Sequence, residues 1–227
     1  MNRGKNTLQT LPAKPWLPYV VPFVLFLLLT EPARYFPSLV PFLYVAKTLL
    51  VAAVLLLLRH HFKEDFAPRL SFGEFLLAVC CGLLVLVLWV APEGIFYQFA
   101  PGEGFNPYVM TESNTAATAL LAVRLAGAAL VVPVMEELFW RSFLMRYLID
   151  TDFRTVALGT YSSLSFFGVA ILFGLEHHRI LVGIIAGLLY GLLLLRQKKL
   201  RGVTVAHMVT NLGLGIYVIV TGSWTFW

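Results

Sequence analysis

Charge is what this sequence has least of. Asp, Glu, Lys and Arg make up 13% of its 227 residues, against about a quarter in a soluble domain. With 59% of the chain hydrophobic, there is too little polar side chain to clothe an ordinary soluble globule. Cysteine is scarcer still. Cys80 and Cys81 are adjacent, a geometry that disfavours a bridge between them, and two thiols provide no metal framework. There is no low-complexity tract, no repeat of solenoid period and no polar stretch long enough for a separate soluble domain. The net charge of +5 is dispersed over separate segments rather than gathered into a stripe, which argues against a nucleic-acid partner.

What fills the chain instead is a series of apolar runs, at 16–29, 42–58, 75–91, 115–134, near 156–176, 180–195 and 203–220. Most approach the roughly 20 residues that cross a bilayer core once their flanks are counted. Backbone polar groups cannot be left unpaired in lipid, so these runs are expected to be helices. The expected fold is all-α, a polytopic transmembrane helix bundle of about seven spans, with eight as the alternative, in a cell (inner) membrane. Basic residues set its orientation. Arg3, Lys5 and Lys14, then Arg59, Lys63 and Arg69, then Arg146 and Arg154, then Arg196, Lys198, Lys199 and Arg201 fall in alternate segments. The positive-inside rule places these segments and the N-terminus in the cytoplasm. The first run is expected to be a retained helix: Pro15, Pro18 and Pro22 interrupt it, and Glu31 and Pro32 follow it in place of a small-residue cleavage site.

The chain divides by chemistry into an N-terminal part, 1–114, and a C-terminal part, 115–227. In the first, Lys47 and Glu74 lie near helix ends and are expected to reach the interface. His60 and His61 read as solvated loop residues. The polar stretch 92–115 reads as an external loop, with Tyr97, Phe99 and Tyr108 at the membrane interface, or as a lid facing substrate. The second part holds Arg124, Glu136, Glu137, Arg141, Glu176, His177, His178, His207 and Asn211. Ionisable groups at membrane depth cost roughly 2.5–3.5 kcal/mol each on insertion scales and usually mark a functional interior.

Helical spacing separates their roles. Glu137 and Arg141 are four apart and share a face, which suits a structural ion pair. Glu136 points about 100° away and is the candidate reactive carboxylate. Phe173 precedes His177 by one turn, and Asn211 follows His207 by one turn. Imidazole and carboxamide on one face can donate to a developing oxyanion, and a carboxylate beside an imidazole can deprotonate a water. The set Glu136, His177 and His207 can equally bind zinc with water in the fourth position. His178 points away from His177, and Glu176 reads as a rim residue balancing Arg124.

The order Glu136-Glu137-x-x-x-Arg141, Phe173-x-x-x-His177, His207-x-x-x-Asn211 resembles the three-motif signature of the CAAX-protease and bacteriocin-processing (CPBP, or Abi) intramembrane endopeptidases. The resemblance covers roughly residues 115–220. The N-terminal helices resemble, more faintly, the CAAX-protease-related proteins of exosortase systems. The family resemblance implies a conical cavity among the last four helices and hydrolysis of a peptide bond within the membrane. It implies that Glu136 activates water with His177, that His207 and Asn211 form the oxyanion hole, and that Glu137, Arg141 and Phe173 support them. Ser142 departs from the pattern, standing where a glycine often follows the arginine. No cofactor is expected in this mechanism; the zinc protease, with Glu136, His177 and His207 as ligands, is the alternative. The expected partners are the lipid bilayer and a peptide or protein substrate, either lipidated, secreted or bearing a sorting signal. Rival classes are a proton-coupled transporter and a non-catalytic scaffold or immunity protein.

One conflict stands inside this reading. Straight, full-length spans put His207 near the cytoplasmic end of its helix and His177 at the far end of its own, about 30 Å apart. Joint use of Glu136 and His177 therefore requires residues 150–160 to be embedded, or the fifth helix to end within the bilayer.

Overall fold

The computed structural model describes residues 14–95 and 104–227; the readings made above for Arg3, Lys5, Tyr97 and Phe99 lie outside them. Each apolar run becomes a helix: α1 Leu17–Thr30, α2 Val40–Leu58, α3 Phe72–Val90, α4 Asn114–Tyr147, α5 Ser163–Leu175, α6 Ile180–Gln197 and α7 Leu200–Thr221. No strand occurs among the described residues. The segments built on α2, α3, α4, α6 and α7 are long and apolar enough to cross a membrane, whereas α1 and α5 are shorter apolar helices. The outward faces carry bare hydrocarbon side chains, among them Leu28, Leu57, Val87 and Leu164, each more than half exposed. A surface of that kind is satisfied by lipid, and the molecule is an all-helical, multi-pass membrane protein.

Local sequence explains where the helices start and bend. Ser71 and Glu74 close a capping box at the head of α3, each side chain bonding the other's backbone N–H; this satisfies two donors that the first turn leaves free. The same Glu74 carboxylate takes Lys199 Nζ at 2.7 Å, tying α3 to the α6–α7 turn. Within α4 the backbone widens to π geometry at Gly127–Val131 and again at Leu138–Leu144. Pro133 follows the first widening. A proline ring clashes with the carbonyl four residues back and lacks the N–H to bond it, and a π turn is one way a helix absorbs that defect.

Small residues bring α5 and α6 together. A Cβ on Gly187 would sit 2.9 Å from Ala170 Cα, one on Gly183 would sit 2.9 Å from Gly174 Cα, and one on Gly191 would meet the Phe166 ring at 2.8 Å. Steps of four residues along α6 thus match steps of four along α5, the close approach that small residues permit between membrane helices. At the crossing of α3 and α7, Thr210 donates to the Gly82 carbonyl at 2.8 Å.

The short α5 resolves the depth conflict. Residues 148–162 are not part of a span; Phe153 from this coil is buried against Tyr19 and Phe143. The helix begins only at Ser163, and the Ser165 hydroxyl donates to the Met145 carbonyl near the end of α4. Because α4 and α5 run in opposite directions from that anchor, residue 173 comes level with about 137 and residue 177 with about 133. His177 then lies within roughly 5 Å of the height of Glu136. The expectation of a helix from about 156 fails because Asp150, Asp152, Thr155 and Thr160 use their side chains or backbone in turns.

A buried polar cluster pins the opposite end of the bundle. Asp65 accepts from the Tyr19 hydroxyl at 2.7 Å, the Ser142 hydroxyl at 2.6 Å and Arg146 Nη2 at 3.0 Å. Ser142, read as a departure from the family pattern, therefore has a structural use here, because its hydroxyl ties α4 to the loop after α2. Lys47 corrects another expectation. It does not reach the interface; it is 7% exposed and turned inward, because α2 places it opposite Thr30 of α1.

Candidate active site

The polar residues of α4, α5 and α7 converge on one cavity of about 380 Å³, lined by Glu136, Phe173, Glu176, His177, His207 and Asn211 among others. Glu137 is fully buried behind it. Its Oε1 accepts from Arg141 Nη1 at 3.1 Å and from His207 Nδ1 at 2.8 Å. The ion pair expected from i,i+4 spacing is thus present and extends to the third motif. Arg141 lies over the Phe173 ring at 4.3 Å and nearer to it than to Tyr190 at 5.5 Å. Phe173 is in this way the packing surface that joins the first motif to the second.

Each histidine has one nitrogen held and one released. Nδ1 of His177 lies 2.7 Å from the Phe173 carbonyl. A carbonyl only accepts, so Nδ1 carries the proton and Nε2 is left for the cavity. The ring is flanked by Trp89, 5.3 Å away edge to face. His207 is held in the same way by the Glu137 carboxylate, and its Nε2 stands 4.0 Å from Glu136 Oε2. Tyr190 stacks on His207 at 5.1 Å and anchors through its hydroxyl to Thr210 at 2.7 Å.

Glu136 differs from its neighbour as the 100° offset requires. It is 4% exposed, lines the cavity, and its Oε2 is buried without a hydrogen-bond partner. Burying a polar oxygen unsatisfied is costly, and such an atom facing a cavity is placed to meet a water or a substrate. Glu176 has a second buried, unpartnered oxygen on the same cavity. The expectation that it balances Arg124 is not met: the charged groups close to it are Glu136 and Arg141, beside the Trp140 indole. His178 is exposed at the rim. Asn211 donates one amide hydrogen to the Ala128 carbonyl at 2.9 Å, which lies in the first π turn of α4; its second amide hydrogen is left for the cavity.

No group of three or more His, Cys, Asp or Glu among the described residues converges closely enough to hold an ion. Glu136, His177 and His207 share the cavity wall without meeting at a common point.

Tyr190, Thr210 and Trp89 were not found by sequence reasoning. A lone tyrosine or tryptophan in an apolar helix carries no spacing signal, and neither does a threonine between His207 and Asn211. Comparison with known proteins finds no match to a curated protein and none to a solved structure. A family model, "Type II CAAX prenyl endopeptidase Rce1-like", matches residues 118–213, a stretch that contains all three motifs and every polar residue of the cavity floor. The stretch that carries the motifs is thus similar to the Rce1-like type II CAAX prenyl endopeptidases, consistent with the CAAX-protease group that the motifs resemble.

Proposed function

We propose that this protein is an intramembrane endopeptidase in which Glu136 is the general base. The observation that carries the reading is the buried, unpartnered Oε2 of Glu136 facing a cavity into which His177 and His207 each release one ring nitrogen. A water held between Glu136 and Nε2 of His177 loses a proton to the carboxylate as its oxygen attacks the scissile carbonyl carbon. The resulting oxyanion is stabilised by the Asn211 amide together with His207, whose Nδ1 lies 2.8 Å from the Glu137 carboxylate. Glu136 then returns its proton to the leaving nitrogen, and the C–N bond breaks. Glu137, Arg141 and Phe173 are positioning residues in this scheme, since they touch His207 and one another.

The cavity wall bears on the substrate. Its mouth is lined by Gly104, Arg179 and Thr225–Trp227, at the end of the bundle opposite Arg59, Lys63, Arg154 and the 196–201 cluster. With those basic segments in the cytoplasm, the cavity opens to the non-cytoplasmic side, and the substrate is a membrane-associated or exported precursor. The residues 115–227 act as the catalytic unit, with 1–114 closing one side of it.

The test is cleavage of a candidate precursor by purified protein, with Glu136→Gln and His207→Ala variants, each with and without chelator. The expected result is loss of turnover in both variants and no effect of the chelator. Full activity in Glu136→Gln ends the general-base assignment. Activity lost on chelation and restored by zinc replaces the mechanism with a metal-dependent one.

A further inference from the structure

A second cavity, of about 460 Å³, lies at the other end of the bundle, between the end of α2, the turn that follows it and the start of α7. Arg59, Lys63 and Arg201 line it beside Leu55, Leu56 and Phe66, with Val134 of α4 behind them. Both guanidinium groups are held by backbone. Arg59 Nη1 donates to the Leu56 carbonyl at 2.9 Å, and Arg201 Nε donates to the Phe66 carbonyl. Those bonds fix where the charges sit and leave Arg59 its Nε and Nη2 donors and Arg201 both Nη groups. Among the described residues none of the three cations forms an ion pair, and no acid lines the cavity. Asp65, in the same turn, is committed to Tyr19, Ser142 and Arg146. Residues 1–13 contain no Asp or Glu, and Glu103 is next in sequence to Gly104 at the mouth of the active-site cavity. Three cations around one cavity without an acid describe a receptor for an anion.

Their place in the fold says which anion. Arg59 is the residue that ends α2, a helix long and apolar enough to cross a membrane, so the cations stand where that span leaves the hydrocarbon. Leu56, one turn further in, is 63% exposed, and the cavity therefore opens sideways to lipid. From the cations its apolar wall runs inward past Leu55 to Val134, inside the span of α4. A soluble anion makes no use of such a wall, whereas a phospholipid joins a phosphate at this depth to acyl chains that lie along it. Basic pockets between membrane helices on the cytoplasmic side are sites of this kind, and the cations here belong to the segments that the positive-inside rule places there. Three like charges repel the ammonium of a zwitterionic headgroup and favour one with net negative charge.

We propose that Arg59, Lys63 and Arg201 form a binding site for one anionic phospholipid of the cytoplasmic leaflet, with its phosphate among the three cations and an acyl chain against Leu55, Leu56 and Val134. The site shares no residue with the active-site cavity and does not depend on the endopeptidase reading. A lipid held there bridges α2 to α7 and steadies the turn whose Asp65 is tied to Arg146 of α4 at 3.0 Å.

The test titrates the full chain, in detergent micelles, with dioleoyl phosphatidylglycerol or dioleoyl phosphatidylcholine and reads bound lipid by native mass spectrometry. Each basic residue near a membrane surface strengthens binding of an anionic lipid on the order of fivefold. The first phosphatidylglycerol is therefore expected to bind about tenfold or more tightly than phosphatidylcholine. Replacing the three cavity cations together, Arg59→Gln with Lys63→Gln and Arg201→Gln, is expected to abolish that preference. A control set, Arg69→Gln with Arg196→Gln and Lys198→Gln, removes the same charge from the cytoplasmic segments outside the cavity and is expected to retain it. Equal binding of the two lipids by the parent protein overturns the proposal without any variant. Equal loss in the two triple variants assigns the preference to the basic face as a whole and overturns it as well. So does displacement of the lipid by glycerophosphoglycerol, the same headgroup without acyl chains, at concentrations as low as those of the lipid itself, which makes the cavity a site for a soluble phosphate.

Discussion

Glu136 and Glu137 are neighbours of identical chemistry, and replacing each with glutamine should damage different properties. Glu137 is 0% exposed and within 3.1 Å of Arg141, itself 1% exposed, and 2.8 Å of His207. At an effective dielectric of about 20, a charge pair at that separation is worth about 5 kcal/mol before desolvation is subtracted. Removing one partner leaves Arg141 as an uncompensated buried cation, a change that costs about 3–5 kcal/mol where it has been measured in proteins. That is a large share of a typical stability of about 5–15 kcal/mol. Glu136 has no such partner: its Oε2 is unsatisfied and His207 Nε2 stands 4.0 Å away. Glutamine there keeps the shape and removes a buried charge, so stability should change by no more than about 1 kcal/mol, while hydrolysis falls by about 10²–10⁴. Unfolding in mixed micelles titrated with SDS, followed by tryptophan fluorescence, reads the first effect, and peptide cleavage reads the second. The reasoning is refuted if Glu137→Gln unfolds within about 1 kcal/mol of the parent, or if Glu136→Gln is the variant that destabilises.

Three further outcomes are expected. Asp65→Ala leaves Arg146 without its acid and should cost about 3–5 kcal/mol in the same unfolding assay, against about 1 kcal/mol for Tyr19→Phe, which removes one hydrogen bond; equal losses would mean that the cluster is not organised around the carboxylate. Gly187→Val puts side-chain atoms where Ala170 backbone stands, 2.9 Å from the new Cβ. It should cost about 1–3 kcal/mol by overpacking and also lower turnover by shifting His177, although position 187 touches no reacting atom. Unchanged turnover in a destabilised variant would separate α5 placement from the chemistry. In a protein with Cys80 and Cys81 replaced by alanine, Thr225→Cys should react with an impermeant maleimide on intact cells, and Lys198→Cys only after permeabilisation. The reverse pattern would turn the cavity towards the cytoplasm.

The features legible in the sequence were those that repeat at helical spacing. Glu137 and Arg141 could be paired in advance because four residues make about one turn, and Glu136 could be separated from them because adjacent residues diverge by about 100°. The errors came where side chains meet across helices. Lys47 looked close enough to an end to escape, but its outlet is occupied by Thr30 and Phe26 of a neighbouring helix. Glu176 was matched with Arg124 because both were charged and unclaimed; the aromatic rings around Arg124 come from distant parts of the chain. Asp65 carried no mark among other loop charges, since its three partners lie 46, 77 and 81 residues away.

The sequence by itself determined the membrane habitat, the helical class, the three motifs and which of two adjacent glutamates is tied down, because hydrophobicity and helical phase are local properties. Only the tertiary structure decided that Glu136 and His177 share a depth. That depends on where α5 begins, and the beginning is set by the turns of residues 148–162 and by the Ser165 hydroxyl on the Met145 carbonyl. Only the tertiary structure, too, brought Lys47 and Arg124 against the same Tyr44 ring. A π turn changes the phase of a helix by about one residue, and nothing in the periodicity of apolar residues registers it.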